Sequence, residues 1–311
     1  MKAAIVSRLN EAAELADVDE PDGTVEVVAA PLNPLDLAVS RGLFFGGSPE
    51  LPYVPGAEAV VRDEDGRLLW IFGDGLGLRR NGALAERASI GDATAVELPE
   101  GTDPVLASAL GIAGLAGWLP FAWRAPLAGG ERVLILGATG SVGLVAVQAA
   151  KQLGAGRVVA VGRSASGLER AASLGADATI RLDEADDLVA TFREAFGGQG
   201  PDYVFDPVWG APAAAAIQAA APHARVVNLG QSAGPTAELA SGAIRGKNLS
   251  ILGHTHFATP AAVLAEHYAR LVGHATAGTI RLDVEQVSLD AVADAWRRQA
   301  EGAGTKLVVV P

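Results

Sequence analysis

The chain has 311 residues, the length of about two ordinary domains, and carries a formal net charge of −12. So acidic a balance argues against nucleic acid or an anionic membrane as a general partner, and the absence of cysteine excludes disulfides, thiolate catalysis and Cys-ligated zinc. Half of the residues are hydrophobic but only 5% are aromatic, so the core must be built mainly from Ala, Val and Leu.

Residues 1–100 read as short strands between turn clusters. KAAIVS, TVEVVAAPL, AEAVVR, RLLWIF and ALAERASI are separated by PDG, DEDG and RNG, with little helical periodicity. From Asp103 the pattern changes, and an Asp-Pro start opens a long apolar helical stretch. Its apolar run, 105–123, is interrupted by glycines and Pro120, so no membrane span is expected. The N-terminus shows no apolar core behind a basic start, so no signal peptide is expected and the expected location is cytoplasmic.

Strands are then expected at 132–136, 158–161, 177–181, 203–206, 224–229 and 249–253, with helices near 141–153, 166–174, 184–196 and 211–220. Such alternation predicts an α/β fold, a doubly wound parallel sheet covered by helices, over residues 106–255. Beyond it the pattern gives a helix near 260–273, strand signals near 279–287, a helix near 290–300 and a last strand, 306–310. That tail is too short to bury a core of its own. Residues 256–311 are therefore expected to join 1–105 in a mostly-β catalytic or substrate domain.

The stretch 131–155, ERVLILGATGSVGLVAVQAAKQLGA, carries the strongest functional signal. A buried strand breaks at Gly137, passes Ala138, Thr139, Gly140, Ser141 and Val142, and enters a helix at Gly143. Gly137 permits a tight turn, Gly140 removes the side chain where a pyrophosphate must approach, and Gly143 lets the helix lie close on the sheet. The N–H groups and dipole at the helix start then attract phosphate charge.

Several further motifs follow in a telling order: APLNPLDLAVSRG (30–42), PELPYVPGAEAVV (49–61), NGALAE (81–86), ALGIAGLAGW (109–118), FDPVWG (205–210), RVVNLGQSAG (225–234) and GTKLVVVP (304–311). In this order, over nearly the whole chain, they resemble the medium-chain dehydrogenase/reductase superfamily and its zinc-free quinone oxidoreductase-like branch. Leu84 stands where an aromatic is usual, and Ala116 replaces a threonine. The resemblance implies a Rossmann sheet beside a GroES-like catalytic domain, and an NADPH-dependent reductase of quinones or enones that commonly dimerises through the last strand of its nucleotide sheet. Zinc-dependent relatives hold their metal with Cys, His and Cys, at positions that here are Asn33, Ala57 and Ile112. None is a good zinc ligand, so no metal is expected.

The second strand of the nucleotide fold ends in Gly162-Arg163-Ser164, and no carboxylate follows before Glu169. A guanidinium and a hydroxyl suit the 2′-phosphate of NADPH, whereas NAD calls for an acidic residue at this point. Arg181 is a candidate second cation, since Gly167 stands where quinone reductases often carry a lysine. By resemblance, Val208, Asn228, Leu229, Gly230 and Gln231 approach the nicotinamide, and Asn33 faces it. Candidate donors to the substrate are Asn33, Tyr53, His254 and His256, with Asn33 and Tyr53 the expected catalytic pair. Phe44, Trp118, Trp209, His256 and Phe257 are expected to wall the substrate site. Asp36 and Glu58 read as structural carboxylates that tie loops. A zinc-free carbonyl or alcohol dehydrogenase, a biosynthetic tailoring reductase, and a nucleotide-binding protein with little turnover remain alternatives.

Overall fold

A computed structural model describes residues 1–21 and 23–311, and the chain divides into two units. The first comprises Met1–Ala113, Pro260–Thr276 and Leu282–Pro311; the second comprises Gly114–Thr259 and Ala277–Arg281.

The first unit opens with β1 (Lys2–Ile5), β2 (Glu14–Asp17) and β3 (Thr24–Pro31), followed by α1 (Pro34–Ser40), β4 (Glu58–Arg62), β5 (Leu68–Phe72), β6 (Arg87–Ser89), β7 (Thr94–Glu97) and α2 (Pro104–Ala109). Strands β3, β4 and β5 pair antiparallel, and β7 extends the sheet beside β5. Helix α1 is set by the sequence NPLD: Pro34 fixes the first turn, and the Asp36 carboxylate accepts from the Asn33 N–H at 2.8 Å. Helix α2 starts where Asp103 accepts from the Val105 N–H. By length and composition Pro104–Arg124 resembles a membrane span, but 72% of its apolar window is buried within the protein, as a core helix requires.

The second unit carries α3 (Leu115–Leu119), β8 (Arg132–Ile135), α4 (Ser141–Gln152), β9 (Arg157–Gly162), α5 (Ala165–Ser173), β10 (Ala178–Arg181), α6 (Leu188–Glu194), β11 (Tyr203–Asp206), α7 (Gly210–Ala219), β12 (Arg225–Asn228), α8 (Ser241–Arg245) and β13 (Ser250–Gly253). All its pairings are parallel, in the order β10-β9-β8-β11-β12-β13. Val133, Leu134, Ile135 and Leu136 are consecutive and fully buried. Successive strand residues point to opposite faces, so both faces of β8 are covered, which explains its unbroken apolar run. Gly117 permits close helix packing: a Cβ there would meet the Val142 carbonyl of α4 at 2.7 Å.

The chain then returns to the first unit with α9 (Ala261–Thr276), β14 (Val284–Ser288), α10 (Val292–Glu301) and β15 (Lys306–Val310). Strand β15 pairs antiparallel with β3 and parallel with β14, so the apolar tail is buried by joining the N-terminal sheet. Tyr268 of α9 stacks on Trp70 of β5 at 4.2 Å and donates its hydroxyl to the Ala107 carbonyl.

Candidate functional site

Two polar constructions stand out, one in each unit. In the second, Leu136 follows the end of β8 and the chain turns through Gly137, at φ +62°, into α4. A Cβ on Gly143 would lie 2.3 Å from the Gly137 carbonyl, so only glycine lets the helix begin this close to the turn. A Cβ on Gly140 meets nothing within 4 Å, and no side chain caps the start of α4. The turn thus offers open backbone at a helix N-terminus, the geometry that holds a pyrophosphate. Thr139 packs over Gly162 and Gly167, whose Cβ atoms would approach its side chain to 2.4 and 2.6 Å. That packing accounts for the glycine at 167, where a longer side chain would collide.

At the end of β9, Arg163 and Ser164 are exposed. Ser164 also caps α5, its Oγ accepting from the Gly167 N–H at 3.1 Å. Arg181 does not fit the role expected of it. Its guanidinium is paired with Asp183 and Glu184 at 2.5 and 3.1 Å, whereas Arg163 has no ion pair among the described residues.

The carboxyl ends of β11 and β12 are knitted together around Asp206. Its Oδ1 accepts from the Val208 and Trp209 N–H groups, and its Oδ2 accepts from Asn228 Nδ2 at 2.8 Å. Burial raises the Asp206 pKa above the usual carboxylate range. The same Asn228 amide donates to the Gly230 carbonyl, and Leu229 N–H donates to the Asp206 carbonyl. Gly137, Val208 and Pro207 also converge, since a Cβ on Gly137 would meet Val208 Cγ1 at 2.9 Å. Trp209 sits at φ +56°, ψ −154°, a backbone state natural only to glycine and held here by the Asp206 carboxylate. Asp206 was not anticipated as the organiser; its signal was a single carboxylate closing an apolar strand, YVFD.

In the first unit, the site expected to face the reacting centre is instead a buried charge network. Asn33 is 1% exposed. Its Nδ2 donates to Glu58 Oε1 at 3.0 Å and to the Pro31 carbonyl, while its Oδ1 accepts from Lys306 Nζ at 2.6 Å. Both amide hydrogens are spent, so Asn33 has no donor left for a substrate, and its expected role as an oxyanion donor is corrected to that of a link in the network. Glu58 Oε2 accepts from Trp70 Nε1 and, at 2.7 Å, from the Ile112 N–H, which the π-turn Leu110–Gly114 presents to it. Gly111 makes that approach possible, because a Cβ there would fall 1.8 Å from Glu58 Oε2. Asp36 accepts from the Asn33 and Ala57 N–H groups, consistent with the structural reading of both carboxylates. Burial pushes Glu58 up to about 7, Asp36 up to about 6 and Lys306 down to about 8. Lys306 escaped the sequence reading; its signal was a lone cation opening the otherwise apolar strand KLVVV.

Tyr53 is 2% exposed and belongs to the first unit's apolar core, with its hydroxyl without a partner among the described residues. Burial raises its pKa, so the phenol is a poorer acid than usual, which weighs against the expected proton donor. Among the expected substrate walls, Trp118 is fully buried core, Phe44 packs on the first unit's core, and Trp209 is half-buried. His256 is buried, and Phe257 beside it is exposed.

The order of the parallel sheet and the glycine turn at its first strand define a dinucleotide-binding fold. A family model described as zinc-binding dehydrogenase matches residues 141–270. Over 306 residues the chain is 28% identical to a phenolphthiocerol/phthiocerol polyketide synthase of Mycobacterium tuberculosis, a match covering 92% of this chain but only 13% of that much longer protein. It is 25% identical to human quinone oxidoreductase, covering 90% of this chain and 85% of the relative. The solved quinone oxidoreductase of Thermus thermophilus, determined also in complex with NADPH, superposes with a TM-score of 0.80 at 29% identity over the full length of both chains. The chain is thus similar to members of the medium-chain dehydrogenase/reductase superfamily, and among them to quinone oxidoreductases.

Proposed function

We propose that this chain is an NADPH-dependent oxidoreductase that delivers hydride to a quinone or an α,β-unsaturated carbonyl without zinc. The observation that carries the reading is the open glycine turn Gly137–Gly143 beside the end of β9, where Arg163 is exposed and residues 162–168 hold no carboxylate. On this reading the turn's N–H groups and the start of α4 take the pyrophosphate, and Arg163 with the Ser164 hydroxyl takes a 2′-phosphate. When bound, the nicotinamide supplies the hydride. Val208, Leu229 and Gly230 shape its surroundings, with Asp206 and Asn228 fixing their backbone. The NADPH complex of the Thermus thermophilus relative supports this choice of cofactor.

The residues at the zinc positions do not fit the metal. The Asn33 amide is spent on Glu58, Pro31 and Lys306, and the Ala57 and Ile112 side chains carry no ligand atom. No step is therefore assigned to a metal, and a substrate that is electrophilic by itself, a quinone or an enone, suits such a site. The polyketide synthase relative favours, as a second reading, a biosynthetic tailoring reductase.

The test is to mix purified protein with NADPH and a panel of quinones, enones and aldehydes, with and without a chelator. Loss of nicotinamide absorbance with quinones or enones, unchanged by the chelator, is expected. Reduction of aldehydes alone, activity abolished by chelation, or binding without turnover would contradict the reading.

A further inference from the structure

We propose that His254 is the hydrogen-bond donor that receives the substrate's carbonyl oxygen, an assignment that rests on the reductase reading above. His254 follows β13 at the carboxyl end of the parallel sheet, the edge at which open α/β sheets take their ligands. Its backbone N–H donates to the Asn228 carbonyl at 2.9 Å, so it stands directly beside the turn organised by Asp206. Arg124 holds the strand end from the other side, donating to the Gly253 carbonyl at 2.8 Å.

The imidazole ring is packed edge-on between Trp123, at 6.3 Å, and His256, at 5.5 Å, and is 8% exposed. Among the described residues neither its Nδ1 nor its Nε2 has a hydrogen-bond partner. Two neighbouring polar groups at this edge, the Asp206 carboxylate and the Asn228 amide, are paired with each other. A buried polar group without a partner lowers stability, and such groups recur where a ligand completes them. Burial and the charge of Arg124 push the His254 pKa down to about 4, so at neutral pH the ring is uncharged, with one N–H to donate and one nitrogen to accept. The short turn His256–Ala258 follows directly, with Phe257 exposed on it.

With an enone, addition of hydride at the β-carbon shifts the C=C electron pair, and the carbonyl oxygen becomes the enolate oxygen. A hydrogen bond from His254 stabilises that charge as it forms. The α-carbon then takes a proton from water, giving the saturated carbonyl and the cofactor oxidised by two electrons.

The experiment compares wild type with His254→Phe and His254→Gln in NADPH affinity by nicotinamide fluorescence, kcat/KM on an enone, and melting temperature without ligand. The Phe variant should bind NADPH as wild type does, melt higher because an orphaned polar group is gone, and lose about 100-fold in kcat/KM. The Gln variant, which keeps a donor, should recover most of that loss. A wild-type reductase whose Phe variant stays within about twofold in rate overturns the assignment alone, as does a tenfold loss of NADPH affinity or a lowered melting temperature in that variant. A wild type that binds NADPH but reduces no member of the panel overturns the reductase reading and this assignment with it.

Discussion

The Lys306 ammonium donates to Asn33 Oδ1 at 2.6 Å, joining the last strand to the residue that precedes α1. The same amide donates to Glu58, so Asn33 bridges a buried cation and a buried carboxylate. The network ties β15, β4 and the start of α1, and it uses both amide hydrogens of Asn33.

Asn33→Ala should therefore act on stability before it acts on rate. Truncation leaves Lys306 and Glu58 each short of a hydrogen bond in the interior, which costs about 3 kcal/mol. Urea unfolding should show that loss, while kcat of the folded fraction stays within a few-fold of wild type. A fall of about 100-fold in kcat at unchanged stability would return Asn33 to the catalytic role.

Stability should also depend on pH through this network. Asp36 is raised from 3.8 to about 6 and Glu58 from 4.5 to about 7, so over that interval the folded protein binds more protons than the unfolded chain. Stability must then fall as pH rises from about 4.5 to about 7. Lys306 is lowered from 10.5 to about 8, so across that interval the unfolded chain holds the extra proton and stability should climb again. Urea midpoints across the two intervals test the sign of each slope. Glu58→Gln should flatten the lower one, and an unchanged slope in that variant would show that Glu58 does not titrate there.

The parallel sheet was legible because its strands are continuous apolar runs and its glycine turn has a separate physical reason for each glycine. Short, polar elements were not. Strands β2 (ELAD) and β7 (TAVE) are four residues each, too brief for period-two alternation to rise above the surrounding turns, and seven-residue α1 lies in a region read as strands with little helical periodicity. The site was harder still, because its decisive pairings are remote in sequence. Nothing local in APLNPLD announces that Asn33 will meet a lysine at 306, or that Asp206 will hold Asn228. Arg181 misled for the opposite reason, since the carboxylates that neutralise it are its near neighbours Asp183 and Glu184.

Gly140 and Gly143 separate binding from folding. Gly140→Ala places its methyl in open space, so the protein should keep its melting temperature while NADPH affinity falls at least about tenfold as the methyl blocks the pyrophosphate. Gly143→Ala drives a methyl into the Gly137 carbonyl, so it should destabilise the fold itself, visible as a lower melting temperature without ligand. Equal effects of both on stability would refute the division.

Strand β13 lies at the edge of the parallel sheet with Ile251 and Leu252 half-buried, and an apolar edge invites pairing. We expect a two-fold dimer that continues the sheet through β13. Light scattering at micromolar concentration should give twice the chain mass for wild type and one chain mass for Ile251→Lys. A monomeric wild type would refute the pairing.

Cofactor choice is read most directly from the ratio of kcat/KM for NADPH to that for NADH, measured in wild type and in Arg163→Ala with one reducible enone or quinone. Wild type should prefer NADPH strongly, and the preference should collapse by about 10-fold or more in the variant, because the guanidinium meets the 2′-phosphate and nothing in NADH. A wild type that prefers NADH, with a ratio unmoved by Arg163→Ala, would contradict this cofactor assignment.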